Sequence, residues 1–190
     1  NPIYLSLDES KLLLSCIDGE NKERDYCIIT LFLNCGLRLS ELCSIDISKI
    51  KADTLTIIGK GNKERTVYLN AACLKALHNY LPIRLRKNNK LDEKDKDALF
   101  ISRNNRRINK RSVELLVKKY ISKAGLDYQK YSPHKLRHTA ATLMYKYGNV
   151  DIRSLQKILG HENVSTTQIY THVDDETLRQ AVNLNPLSEE

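Results

Sequence analysis

No stretch of this 190-residue chain approaches the roughly 20 consecutive apolar residues of a membrane-crossing helix. The start, Asn1-Pro2-Ile3-Tyr4, has none of the basic, apolar and small-residue order of a secretory leader. It also has no initiator Met, so a fragment of a longer protein is the expectation. Cysteine is sparse and unpaired: Cys16, Cys27, Cys35, Cys43 and Cys73 are an odd set with no CxxC spacing. That pattern offers neither a zinc site nor a disulfide framework, and several of the five lie among aliphatic residues, as buried free thiols in a reducing compartment do. No paired Asp and Glu cluster appears, so a metal-dependent nuclease lacks its ligands. No internal repeat or low-complexity linker divides the chain, whose length fits one domain or two small ones.

What is present is basic charge, unevenly placed. The net charge is +8, and thirteen Lys and Arg face only five Asp and Glu between Arg84 and Lys119. That segment alone carries a surplus equal to the whole chain's. A concentrated basic stretch suits a phosphate backbone, where each neutralised phosphate releases counterions, but it equally suits a solvated loop and helix face. Charge by itself does not separate the two.

Hydrophobic periodicity gives an α+β chain, mainly α with a small three-stranded antiparallel sheet. Ser6-Leu7-Asp8-Glu9 is a capping box that opens a helix through Leu12, Leu13, Leu14 and Ile17. A second helix reads from about Lys22 to Asn34, and a short one follows around Ser40 to Cys43. Ile45, Ile47, Ile50, Leu55 and Ile57 then alternate with polar residues, as half-buried strands do, and Arg65 to Leu69 makes the third strand. The turns fall at Lys51-Ala52-Asp53 and Gly59-Lys60-Gly61-Asn62. Helix returns from Ala71 to Tyr80 and is expected to stop at Pro82. The charged run Arg84 to Asp97 reads as an exposed loop or helix extension, and Ala98 to Ile101 as a short extended piece. Helices follow over Lys110 to Ala124, Ser132 to Tyr147, Asp151 to Leu159, Ser165 to Tyr170 and Asp174 to Val182.

Four segments carry polar residues that packing does not require. In Gly36-Leu37-Arg38-Leu39-Ser40-Glu41-Leu42 an arginine sits between leucines, where a half-buried guanidinium needs a partner; Glu41, one turn on, can supply it. An internal salt bridge is the plain alternative. In the second, Gly59 and Gly61 bring Lys60 to a hairpin tip, a weak signal alone. In the third, His134 and Arg137 lie three apart on one helix face, a cationic pair suited to a phosphoryl oxygen, whereas His138 is assigned another face and a structural role. The fourth places His161 nine residues before Tyr170, which ends a short polar stretch. A lone His or Tyr is more often structural.

Taken together, Arg38, Lys60, His134, Arg137, His161 and Tyr170 resemble, in order and spacing, the six catalytic positions of the tyrosine recombinase (phage integrase) family. The strings GLRLSEL, GKGNKERTVYL, HKLRHTAATLM and ILGHENVSTTQIYTHV are most similar to those of the bacterial Xer-type recombinases, and the likeness runs from about Ser6 to Arg179. Three departures stand out. The helical core-binding domain that usually comes before this point is expected to lie outside residues 1–190, so that this stretch is not expected to bind DNA unaided. Tyr68 stands where proline is frequent, and the Arg84 to Asp97 stretch is longer than in compact members.

The resemblance implies a catalytic domain over residues 1–190, with a C-terminal helix and tail over 174–190. It implies a site-specific recombinase in which Tyr170 attacks a DNA phosphate and holds it as a 3′-phosphotyrosine, so that rejoining needs no ATP. Arg38 and Arg137 clamp the non-bridging oxygens, His161 adds a hydrogen bond, Lys60 protonates the departing 5′ oxygen, and His134 accepts or relays the nucleophile's proton. No metal or cofactor is expected. Lys63 and Arg65 on the hairpin, with Arg103, Arg106, Arg107, Lys110 and Arg111 in the basic segment, are the candidate DNA contacts.

The implied partners are a double-stranded recombination site and identical or related subunits, four on one DNA, in the bacterial cytoplasm at the nucleoid and away from any membrane. Strand relaxation of the type IB topoisomerase kind is one alternative. A non-catalytic DNA-binding regulator is another, although all six positions are intact. Leu178, Leu184 and Leu187 in the tail are expected to lie exposed and to fit a groove on a neighbouring subunit, unless the helix folds back on its own core.

Overall fold

The computed structural model describes residues 4–160 and 175–189. Helix α1 (Leu7–Ser15) opens on the expected capping box: Ser6 Oγ accepts from the Glu9 N–H and Glu9 Oε1 from the Ser6 N–H. Helix α2 (Lys22–Cys35) is the centre of the domain, with every residue from Cys27 to Cys35 buried. A helix apolar on all sides must be covered on all sides. Helices α4 (Ala71–Leu85) and α6 (Pro133–Gly148) pack along it, and α5 (Lys110–Lys123) closes against α1, the short α3 (Leu39–Cys43) and α6.

The sheet is an antiparallel meander of β1 (Ile50–Lys51), β2 (Thr54–Ile58) and β3 (Glu64–Tyr68), in that order. Leu55 and Ile57 of β2 point inward, as the alternation predicts. The expected first strand is mostly a 3-10 turn at Ile47–Lys49, so β1 is only two residues long. Here the neighbouring chain supplies the pairing instead: the Ile47 N–H donates to the Asp97 carbonyl, and Asp46 bridges Ala98. Tyr68 is buried against Ala140, Met144 and Val182, where it fills the space between the sheet and helix α8 (Asp175–Asn183).

Three expectations are corrected. Pro82 does not end α4, which runs on to Leu85. The carbonyl that loses its donor belongs to His78 on the exposed face, where water can satisfy it. The turn beyond Pro82 is anchored by Arg84, fully buried, whose Nε, Nη1 and Nη2 donate to Ala98 O, Asn88 Oδ1 and Lys96 O at 2.7, 2.7 and 2.9 Å. The charged run after it is therefore not a loose loop. It holds two 3-10 turns, at Asn88–Lys90 and Glu93–Asp95, and buries Leu91 and Asp95.

The third correction concerns the tail. Leu178 and Leu187 are 5% and 0% exposed, and only Leu184 stays exposed, at 53%. The 3-10 turn Pro186–Glu189 packs on α1, α2, α4 and α6, and Asn185 Nδ2 donates to the Leu33 carbonyl. The tail finds its groove in its own core, which removes more apolar area from water than an unpartnered helix could.

Candidate active site

One cleft, of about 590 Å³, gathers Arg38, Lys110, His134, Arg137 and His138, with Leu159 at its wall. Its geometry starts at the end of α2. Gly36 turns the chain in the left-handed conformation (φ 66°), and a Cβ there would collide with Leu159. Only glycine meets both demands. The Gly36 carbonyl accepts from Arg137 Nη1 at 2.9 Å, and Arg137 Nη2 donates to the Leu159 carbonyl at 2.8 Å. Helix α7 (Ile152–Leu159) ends there, so that carbonyl lacks a partner within its helix.

A single carboxylate, Glu41, organises the cations. It is 2% exposed and accepts from the Arg38 N–H at 2.8 Å and from Arg65 Nε and Nη2 at 3.0 and 2.9 Å. Arg38 Nη1 and Arg137 Nη1 stand 3.8 and 3.9 Å away. The expected pairing of Arg38 with Glu41 is thus the loose one, because the bidentate partner is Arg65. The Arg38 side chain stays 35% exposed at the cleft. Three guanidiniums around one carboxylate leave a surplus of two positive charges, a poor internal balance and a good one for a phosphate.

The electrostatics agree. Burial pushes the Glu41 carboxyl up, but the hydrogen bonds and charge of Arg65, the Arg38 N–H and Arg137 outweigh it, and the net shift is downward. Burial lowers Arg137 to about 10, with Arg38 and Arg65 adding to the fall and Glu41 opposing it. The guanidinium remains charged at neutral pH and gains most from an arriving anion.

His134 and His138 lie on one face, not two. Their Nε2 atoms are 3.1 Å apart and the rings meet edge to face, as residues four apart on a helix do. Burial, then His134, Lys135 and Arg137, hold His138 below its ordinary pKa. His138 therefore stands within hydrogen-bond reach of the exposed His134, a pairing that their spacing of four signalled and that the structural role expected for His138 left out.

The backbone of Lys60 lies in the 3-10 turn Lys60–Asn62 at the β2–β3 tip, closed by a Gly59 N–H to Lys63 carbonyl bond of 2.7 Å. Its side chain, His161, Tyr170 and the helix expected over Ser165 to Tyr170 lie outside the described residues.

Among the candidate DNA contacts, Lys63, Arg103, Arg106, Lys110 and Arg111 are exposed. Lys110 and Arg111 occupy the first turn of α5, where the helix dipole disfavours cations, so that end concentrates positive potential. Arg65 and Arg107 are not placed for phosphate. Arg65 turns inward with Val67 by strand alternation, and Arg107 donates to the carbonyls of Cys43 and Ile45 and to Asp46. Both fill internal acceptors instead.

A mainly helical domain with a three-stranded antiparallel sheet is the class of fold found in solved tyrosine recombinases. The chain matches the phage integrase family over residues 4–177, and it belongs to that family. It is 65% identical over its whole length to a protein named tyrosine recombinase XerC from Caldanaerobacter subterraneus subsp. tengcongensis, covering 53% of that protein. A XerC of Corynebacterium glutamicum is 43% identical over 164 residues, 84% of this chain and 50% of its own length. Among solved structures, the XerA recombinase matches at TM-score 0.74 and 38% identity, over 94% of this chain and 63% of that one. The XerH recombinase in its pre-cleavage complex with difH matches at 0.73 and 29%, over 95% and 53%. The chain spans about half the length of the curated relatives it matches.

Proposed function

We propose that this chain is the catalytic portion of a site-specific DNA recombinase that cuts and rejoins strands through Tyr170. The observation that carries the reading is the cleft itself: Arg38 and Arg137, held around Glu41 with a surplus of positive charge, present guanidinium N–H groups to one open space. A tetrahedral phosphate gaining charge in the transition state is the ligand such donors stabilise most. The names of the relatives, and a XerH complex bound to its difH substrate, support DNA as the phosphate's source.

In this scheme the Tyr170 hydroxyl oxygen forms a bond to the scissile phosphorus as the bond to the 5′ oxygen breaks. His134, with His138 behind it, takes the phenolic proton, and Lys60 supplies one to the departing 5′ oxygen. The 3′-phosphotyrosine keeps the phosphodiester's energy, and the 5′-hydroxyl of a partner strand reverses the step. Arginine and His161 donors supply the charge stabilisation. Lys63, Arg103, Arg106, Lys110 and Arg111 hold the DNA backbone, and identical or related subunits assemble as four on the recombination site.

The test is covalent capture on a nicked duplex recovered from a random-sequence pool, resolved on a denaturing gel. The unsubstituted protein forms an adduct, and Tyr170→Phe forms none while binding DNA with affinity within about threefold, since only a hydroxyl is lost. An adduct that persists in Tyr170→Phe moves the nucleophile elsewhere. Relaxation of supercoiled DNA without resolution of a four-way junction would favour the topoisomerase alternative.

A further inference from the structure

We infer that Arg65 is a positioning residue that ties the hairpin whose tip holds Lys60 to the C-terminal end of α7, and so fixes how that hairpin approaches the arginine cleft. This deepens the proposed recombinase reading and rests on it. The argument begins with the fork. Arg65 spends Nε and Nη2 on the two oxygens of Glu41 and Nη1 on the Ile158 carbonyl, the last at 2.6 Å. Its side chain is 15% exposed, which leaves little of it for DNA.

Two glycines border this clamp, Gly160 against the Arg65 side chain and Gly59 against Glu41. A Cβ on Gly160 would stand 2.8 Å from Arg65 Cδ and Nε, and one on Gly59 would stand 3.3 Å from Glu41 Oε2 and 3.9 Å from Arg65 Cδ. Gly59 directly precedes Lys60, and Gly160 directly precedes His161. Two chain segments far apart in sequence are thereby brought to one side chain, each one residue before a catalytic candidate. Strand pairing transmits the placement: Arg65 faces Ile57 in the β2–β3 register, and the next pair, Ile58 with Glu64, leads directly into the tip.

At the other end Arg65 and Arg137 cap successive carbonyls of α7, Ile158 and Leu159, and both guanidiniums meet at Glu41. Cations at a helix C-terminus are favoured by its dipole, so the clamp is stabilised as well as specified. Lysine has one ammonium and no planar fork, so it cannot hold both Glu41 oxygens and the Ile158 carbonyl together.

The test measures cleavage per bound complex, DNA affinity and its salt slope, on the captured nicked duplex and on the same duplex with a 5′-bridging phosphorothiolate, whose leaving group needs no proton. Circular dichroism reports folding. Arg65→Gln is expected to lose about 100-fold in cleavage, the scale of a displacement of about 1 Å, with affinity and salt slope unchanged. Arg65→Lys is expected to lose about tenfold, because one of its two attachments survives.

The phosphorothiolate should restore much of both losses and little of the loss in Arg137→Ala, since a misplaced acid is bypassed and a missing phosphate donor is not. A lower affinity with a flatter salt slope and normal cleavage once bound would make Arg65 a DNA contact and overturn the inference. So would wild-type cleavage by Arg65→Lys, or equal rescue of Arg65→Gln and Arg137→Ala. Should Arg65→Gln not fold, Arg65→Lys carries the same comparisons; failure of both to fold would confine Arg65 to stability. Absence of any adduct with the unsubstituted protein would sink the recombinase reading itself, an outcome separate from all of these.

Discussion

The cleft between α3, α6 and α7 and the segment from Arg84 to Lys119 both hold arginine, and they use it in opposite ways. The segment is much richer in basic residues, yet two of its arginines are bound inside the fold: Arg84 to the Ala98 and Lys96 carbonyls and Asn88, Arg107 to Cys43, Ile45 and Asp46. Exposed members such as Arg103, Arg106 and Arg111 face solvent. In the cleft a few guanidiniums are backed by carbonyls and by one carboxylate, so their direction is set before any ligand arrives. The number of charges governs long-range attraction, whereas preorganised donors govern chemistry. A charge count therefore finds the broad basic face and misses the cleft, whose few donors are preorganised.

The largest effect that separates the two regions is expected at Arg137. Arg137→Ala should lower cleavage of bound DNA about a thousandfold, the upper range for one lost transition-state donor, with a far smaller change in affinity. Single-turnover rates on the nicked duplex decide this; a loss confined to affinity would make the cleft one more attractive surface. Next is Arg84→Ala, which strands one buried and two part-buried acceptors and should cost about 3 kcal/mol of stability, read by urea unfolding, while cleavage by the folded fraction stays normal. An effect on cleavage would join the two regions that the comparison keeps apart.

Neutralising Arg103, Arg106 and Arg111 together should flatten the slope of log affinity against log salt by about 0.9 for each phosphate contact removed, with bound-state cleavage untouched. An unchanged slope would return that face to plain solvation.

The smallest effect is the pH dependence of the cleft's carboxylate. Glu41 is held below its ordinary value of 4.5 in the fold, so its contribution is fully present above that value and is lost as pH falls through the lower folded one. The difference in Tm between the protein and Glu41→Gln should therefore be constant near neutrality and shrink in acid below about pH 4.5. A difference that does not change with pH would mean that Arg65 and Arg137 do not depend on the charge of Glu41.

Much of this was legible from residues alone, because local rules carry local features. The capping box of α1, the glycine that ends α2, the tip at Gly59 to Asn62 and the start of α5 at Lys110 each follow from a few adjacent residues. The choice of Arg38, His134 and Arg137 for one site came from the resemblance of their order and spacing to the tyrosine recombinases, and the structure brings these three together.

Only the tertiary structure decided which partner each polar group would have. That Arg65 rather than Arg38 takes Glu41 bidentately depends on a strand and a helix meeting across 24 residues of chain. That Pro82 lies within α4 depends on acceptors that Ala98 and Lys96 bring to Arg84. Leu187 is buried rather than exposed because the distant helices α1, α2, α4 and α6 leave it a groove. Hydrophobic period and turn chemistry are written within one or two turns of chain, so the sequence determined the elements and the candidate residues by itself. The partner of a buried charge is set by whichever remote carbonyl or carboxylate the packing delivers, since an unpaired one costs too much to keep, and that choice belonged to the fold.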